Sequence, residues 1–265
     1  MILTDVFSEI GTQHKICEDY IISGMLPYPY IILADGCSSS SNTEMGSRIL
    51  CHLAKQYLRY RVDDLHDLDY KTMGRWIIHN AEMTARQLGL NLTCLDATLI
   101  IAYVIDGLIK VYMYGDGAIF IKGGDVINSI KVDFSGNAPY YLSYLIDDYR
   151  NELYYEAKHD MIIDRTLKGT PETYAYDYKL EFEFYIKDID CLMLASDGIY
   201  TFITKPPEVY RIIPAEDILP DFMTFKTTKG EYLKRRLNKA LKELNKNHIN
   251  HYDDLSVGSF MSVEG

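Results

Sequence analysis

The chain has 265 residues, 48% of them hydrophobic, with 38 acidic against 27 basic side chains and a formal net charge of −11. The length suits one large sheet-based domain, and the excess of acid disfavours nucleic acid or an anionic membrane as the main partner. No apolar run reaches the roughly 18 residues of a membrane span, and Met1-Ile2-Leu3-Thr4-Asp5-Val6 lacks the basic and apolar segments of a signal peptide. A soluble, cytoplasmic protein is expected. Five cysteines without a Cys-x-x-Cys pair point to free thiols rather than a disulfide framework or zinc knuckle.

Short strands are read at about 2–10, 19–23 and 30–34, the last being the apolar run Tyr30-Ile31-Ile32-Leu33-Ala34 that stops at Asp35-Gly36. Ser41-Asn42-Thr43-Glu44 has capping-box spacing, in which Ser41 caps and Glu44 reaches back, and opens a helix to about Tyr60. A second helix at about 70–89 carries Met73, Trp76, Ile77 and Ala81 at helical intervals. From Ala97 to Ile130 four strands are separated by Asp106-Gly107, Gly115-Asp116-Gly117 and Gly123-Gly124-Asp125, which predicts an antiparallel meander. That excludes a parallel dinucleotide-binding sheet, whose strands need long crossovers.

Residues 131–178 show no clean period, and ten tyrosines fall between Tyr140 and Tyr185. Aromatic packing and a substrate-facing flap are both open readings there. Strands at about 178–187 and 191–196 flank Lys187-Asp188-Ile189-Asp190, read as a hairpin turn, and a helix is expected after Asp197-Gly198. A further helix at about 229–247 precedes Asp253-Asp254 and a strand from Leu255 to Val263. With no low-complexity linker and no internal repeat, residues 1–265 read as a single domain.

Three apolar strands thus border an aspartate: Asp35, Asp197 and Asp253. Any one of these is a common turn residue. If the strands are neighbours, however, their ends gather carboxylates whose mutual repulsion is relieved by cations. All-oxygen ligands select magnesium or manganese. Glu18-Asp19 before a strand and Asp116 in a meander turn enlarge the set.

The ordered series Gly11-Thr12-Gln13-His14-Lys15-Ile16-Cys17-Glu18-Asp19, Leu33-Ala34-Asp35-Gly36, Asp96-Ala97-Thr98, Tyr114-Gly115-Asp116-Gly117, Ala195-Ser196-Asp197-Gly198 and Asp253-Asp254-Leu255-Ser256-Val257 resembles the type 2C, metal-dependent serine/threonine protein phosphatases. The resemblance spans nearly the whole chain. It implies an α+β fold, a four-layer α-β-β-α sandwich of two antiparallel sheets flanked by helix pairs, with two Mn2+ or Mg2+ ions in a cleft at one sheet edge. By that resemblance Asp35 bridges both metals, Asp197 and Asp253 complete one site, and Glu18 with the Gly36 carbonyl serves the other. Asp116 with Asp197 would hold a weaker third ion. Asp19 would orient the attacking water, and the implied reaction is hydrolysis of phosphoserine or phosphothreonine in a phosphorylated protein substrate by a water activated between two metals.

Two positions depart from the family. An arginine usually stands four residues before the glutamate, where its fork grips phosphate; here that residue is His14, with Lys15 beside it as a point charge. After Asp35-Gly36 the usual His or Met is replaced by Cys37 and then Ser38-Ser39-Ser40-Ser41. Other phosphatase chemistries fit less well. Cys37 has Thr43 where a cysteine-dependent enzyme needs arginine, and Asp188-Ile189-Asp190-Cys191-Leu192 lacks the closing residue of a haloacid-dehalogenase motif. His248 and His251 lack a third nearby ligand, and no G-x-S-x-G elbow occurs. Two alternatives stand: a catalytically silent phosphatase-like binding or regulatory module, and a phosphatase acting on a small phosphorylated metabolite.

Overall fold

The computed structural model describes residues 1–165, 171–204 and 210–263. Strands β1 (Ile2–Glu9), β2 (Tyr20–Gly24) and β3 (Tyr30–Ala34) open the chain, followed by helices α1 (Thr43–Tyr60) and α2 (Tyr70–Gln87). Next come β4 (Leu99–Ile105), β5 (Leu108–Tyr114), β6 (Gly117–Gly123) and β7 (Val126–Phe134), then α3 (Asp148–Ala157), β8 (Asp160–Asp164) and β9 (Glu172–Ala175). After β10 (Leu180–Tyr185) and β11 (Cys191–Ala195) the chain forms β12 (Phe202–Thr204), α4 (Ala215–Phe222), α5 (Tyr232–Lys246), β13 (Ile249–His251) and β14 (Leu255–Ser262).

The fold is mixed α+β. Seven strands form one antiparallel sheet in the order β1-β14-β11-β6-β7-β8-β9, five form another in the order β10-β5-β4-β3-β2, and β12-β13 is a separate ribbon. Side chains alternate across a strand, so a strand buried on both faces reads as an unbroken apolar run. That is why Tyr30–Ala34 carries no polar residue. Ile32 and Ala34 join Leu50, Ala54, Met73 and Ile77 of α1 and α2 in one core. Ile31 and Leu33 join Ile119, Leu192, Leu194 and Phe260 of the seven-stranded sheet in a second. Across β11, Met193 and Ala195 face the other way, into a third core with Phe222, Leu233 and Leu237 of α4 and α5. Truncating one such buried leucine to alanine typically costs about 2–5 kcal/mol.

Several local expectations are corrected. The four strands from β4 to β7 are not one meander: β4 pairs with β5 and β6 with β7, but β5 and β6 lie in different sheets. Gly115 and Gly117, with φ of +95° and +136°, turn the chain over Asp116 in a conformation that L side chains rarely adopt. Likewise Lys187–Asp190 is no hairpin, because β10 pairs with β5 and β11 with β6 and β14. Only one 3-10 turn, Asp197–Tyr200, follows β11 where a helix was expected. The capping box of Ser41 and Glu44 is absent too: Asn42 (φ 60°) caps α1 without a side-chain bond, and the neighbouring Ser40 Oγ donates to Asp96.

In the stretch without a clear period, β7 runs on to Phe134 and α3 and β8 follow. Tyr140 packs against Tyr144, Tyr154 and Tyr176 with ring centroids 5.4, 5.2 and 4.8 Å apart, so aromatic packing accounts for much of the tyrosine content; residues 166–170 lie outside the described part. All five cysteines are free. Among the described residues no helix is long and apolar enough to cross a membrane.

Candidate active site

Four aspartates from four separate strand ends meet in one cavity of about 240 Å³. Asp35 follows β3, Asp116 sits at the β5–β6 sheet crossing, Asp197 follows β11 and Asp253 precedes β14; Gly36, Cys37 and Tyr141 complete much of the wall. The approach of two of these ends depends on Gly198. A Cβ there would lie 1.8 Å from the Asp254 carbonyl oxygen, so only glycine lets the Asp197 turn pack against the Asp253-Asp254 corner. Asp35 is fixed through its backbone, its carbonyl accepting from Thr98 N at 2.8 Å and its N–H facing Thr98 Oγ1 at 3.3 Å.

Asp35 is the centre of the cluster, close enough to Asp19, Asp197 and Asp116 to feel the charge of all three. Burial, then the charges of Asp19, Asp197 and Asp116, hold its carboxyl well above the usual carboxylate range. Burial and Asp197 do the same to Asp116, and burial and Asp253 raise Asp197. Asp19 is buried, and burial pushes it to about 7 even though Ser196 Oγ donates to its Oδ2 at 2.8 Å. Its Oδ1 is buried with no hydrogen-bond partner among the described residues. Such a set of oxygen donors, crowded and opposed to ionising together, fits hard divalent cations, whose charge would relieve the repulsion.

Glu18 and His14 do not line the cavity but stand beside it. Glu18 Oε1 accepts from Thr43 Oγ1 at 3.0 Å. His14 Nε2 is 3.2 Å from Asp253 Oδ1, and Nδ1 is 3.1 Å from Asp254 Oδ2, out of line for a good hydrogen bond, and 3.7 Å from Glu18. Burial of the ring lowers its pKa, but the three carboxylates outweigh that and hold it above the ordinary histidine value. Lys15 is exposed and makes no hydrogen bond or ion pair among the described residues.

Anchoring residues had no assigned role in the sequence reading. Asp254 is buried and accepts from Gly11 N at 2.7 Å and Glu18 N at 2.6 Å, so the second residue of the Asp253-Asp254 pair clamps the loop bearing His14, Glu18 and Asp19. Asp96, also buried, accepts from Ser40, Ser143 and Arg150 at 2.7, 2.6 and 2.8 Å, tying the Cys37 loop to the segment that carries Tyr141. Lys131, bonded to Asp133 at 2.8 Å, is a cation whose charge reaches Asp116 and Asp197. The Lys131/Asp133 spacing of two places both on one face of β7, a signal visible once the strand is extended to Phe134.

Without metal the cluster sets a pH dependence. A carboxyl whose folded pKa exceeds its unfolded value keeps the folded state favoured while it holds its proton. That advantage is lost as pH rises from the unfolded value toward the folded one, for Asp19 from the usual carboxyl range to about 7. His14, raised above 6.5, contributes stability that is likewise lost as pH rises through its folded value. In the presence of a chelator the melting temperature should therefore fall by roughly 5–10 °C between pH 5 and pH 8. Equal or higher stability at pH 8 would show that these groups are not repelling one another.

Comparison with solved structures gives matches along the whole chain. Covering 99% of this chain and 98% of the other, it is similar to PppA, a key regulatory component of T6SS in Pseudomonas aeruginosa, at 14% identity and a TM-score of 0.56. It is similar over 99% of both chains to the catalytic domain of the serine threonine protein phosphatase PstP in complex with two manganese ions, at 17% identity and a TM-score of 0.55. All of this chain and 96% of the other align with the serine/threonine phosphatase Stp1 from Staphylococcus aureus, at 16% identity and a TM-score of 0.56. At such identities the likeness is one of fold. No curated protein matches the sequence. The sequence profile of Protein phosphatase 2C matches residues 11–242, a span that takes in Glu18, Asp35, Asp116 and Asp197, and the chain belongs to the protein phosphatase 2C family.

Proposed function

We propose that this chain is a metal-dependent phosphoric monoester hydrolase acting on phosphoserine or phosphothreonine in proteins. The observation that carries the reading is the convergence of Asp35, Asp116, Asp197 and Asp253 on one cavity. The three cores support a four-layer α-β-β-α sandwich, and residues 1–265 are taken as a single catalytic domain. Free cysteines suit a reducing, cytoplasmic setting, and the acidic charge suits neither nucleic acid nor membrane as partner.

On this reading Asp35 would help to hold two Mn2+ or Mg2+ ions. Asp197 and Asp253 would serve one of them, Glu18 and the Gly36 carbonyl the other, and Asp116 with Asp197 would hold a weaker third. Manganese in the related PstP structure supports that choice. When bound, two such ions supply Lewis-acid stabilisation of the phosphoryl oxygens and a nucleophile at neutral pH. Asp19 orients the attacking water and takes its proton at Oδ1, the buried oxygen left unpartnered while Ser196 holds Oδ2. His14 supplies positive charge beside Asp253, and Lys15 a further charge toward the phosphate from the exposed loop.

One observation favours the catalytically silent alternative: His14, in the place of the phosphate-gripping arginine, is engaged with Asp253, Asp254 and Glu18. Two experiments separate the readings. Phosphate release from p-nitrophenyl phosphate and a phosphothreonine peptide should require Mn2+ or Mg2+ and vanish in Asp197→Asn. Calorimetric titration should show two manganese sites. Turnover in a chelator overturns the mechanism, absence of manganese binding supports the silent module, and preference for a small phosphorylated metabolite over the peptide overturns the protein substrate.

A further inference from the structure

A second cavity, of about 210 Å³, shares two stretches of chain with the acidic one: Gly115 and Leu142 line it, while their neighbours Asp116 and Tyr141 line the other. Six of the fourteen residues that line it are aromatic. Tyr70 and Tyr114 stack at 4.4 Å, and Tyr140 and Tyr176 stand 4.8 Å apart. Their hydroxyls are committed elsewhere, Tyr70 donating to the Met113 carbonyl, Tyr114 to the Tyr70 carbonyl and Tyr140 to Asn151 Oδ1, at 2.6, 2.7 and 2.8 Å. These three rings therefore offer their faces, while Lys71, Arg75 and Asp177 bring charge to the same cavity. Gly74 keeps the space open, since a Cβ at that position would lie 2.8 Å from Tyr114 Cε1.

Two cations of α2, Lys71 and Arg75, also line the cavity, one helical turn apart on one face. Lys71 Nζ is 3.8 Å from Asp177, whereas Arg75 makes no hydrogen bond or ion pair among the described residues. A planar fork without a partner is suited to a carboxylate. An apolar cavity of roughly 150 Å³ accepts a benzene ring, so the larger space here suits a bicyclic one.

We propose that this cavity is a binding site for a small planar aromatic carboxylate, its rings among the tyrosines and its anion at Arg75. Occupation is transmitted to the acidic cavity through Tyr140–Leu142, because Tyr141 between them lines that cavity together with Cys37. Neither statement depends on the chain being a phosphatase.

The probe is 2-naphthoate, titrated calorimetrically into the intact protein. One molecule should bind per chain, and both the neutral 2-naphthalenemethanol and the non-aromatic cyclohexanecarboxylate should bind at least about tenfold more weakly. Arg75→Ala, an exposed substitution that leaves the core intact, should weaken naphthoate at least about tenfold, and Gly74→Ala, which fills the space, should weaken it further. Transmission is read from the alkylation rate of Cys37 by iodoacetamide, followed on its own peptide by mass spectrometry. Saturating naphthoate should change that rate at least about twofold in the wild type but not in Arg75→Ala at the same concentration. Absence of binding at millimolar naphthoate, or binding undiminished in Arg75→Ala, overturns the site. An unchanged Cys37 rate overturns the transmission and leaves the site.

Discussion

Asp35→Asn is expected to lower kcat for manganese-dependent hydrolysis of p-nitrophenyl phosphate by about 10³-fold, equivalent to about 4 kcal/mol of transition-state stabilisation, while making the metal-free protein more stable. The two effects share one cause. Asp35 is a carboxyl whose ionisation is opposed by burial and by the neighbouring Asp19, Asp197 and Asp116, and on the proposed reading it would also help to hold both ions. Asparagine keeps the shape, removes the charge and with it the repulsion. In a chelator at pH 8 the melting temperature should rise by roughly 3–8 °C. With manganese at a hundred times its dissociation constant the order should reverse, because the wild type alone gains the roughly 2.7 kcal/mol of binding linkage. A variant that keeps a tenth of wild-type kcat, or melts lower than wild type in chelator, would exclude Asp35 as the shared ligand.

The same residue shows what a sequence can disclose. Asp35 was legible because Tyr30–Ala34 is buried on both faces, so the strand announces itself and its end is the first polar position. Asp197 and Asp253 stand one position further from the buried runs of β11 and β14, beyond Ser196 and Asp254. Legibility failed where one signal serves two geometries. Glycines flanking Asp116 read as a tight turn, and they do make one, but between sheets; pairing partners are decided by long-range packing that no local pattern records. Ser41 and Glu44 had capping-box spacing, yet the neighbouring Ser40 is drawn to buried Asp96 and Asn42 opens the helix instead. The tyrosine-rich segment was opaque because short helical turns and ring-to-ring contacts have no period to detect. Lys131 was hidden by ending its strand too early.

The Asp253-Asp254 pair separates two roles that sequence alone merged, and substitution should separate them by stability. Asp254→Ala removes a buried carboxylate that accepts from the backbone N–H of Gly11 and Glu18. Hydrogen bonds to charged groups are worth about 1.5–3 kcal/mol each, and the buried Gly11 N–H and part-buried Glu18 N–H would be left unpaired. A loss of about 3–5 kcal/mol follows, or roughly 10–15 °C in melting temperature. Activity should fall with it, because the released loop carries Glu18 and Asp19. Asp254→Asn keeps one good acceptor oxygen and should lose about half as much. Asp253→Ala should behave differently: its carboxyl is partly exposed, and losing the His14 contact is offset by relief of repulsion on Asp197. Its metal-free stability should stay within about 1 kcal/mol of wild type, while manganese binding drops sharply. Equal destabilisation by the two alanine variants would mean that Asp254 is not the clamp, and that the loop bearing His14, Glu18 and Asp19 is held from elsewhere.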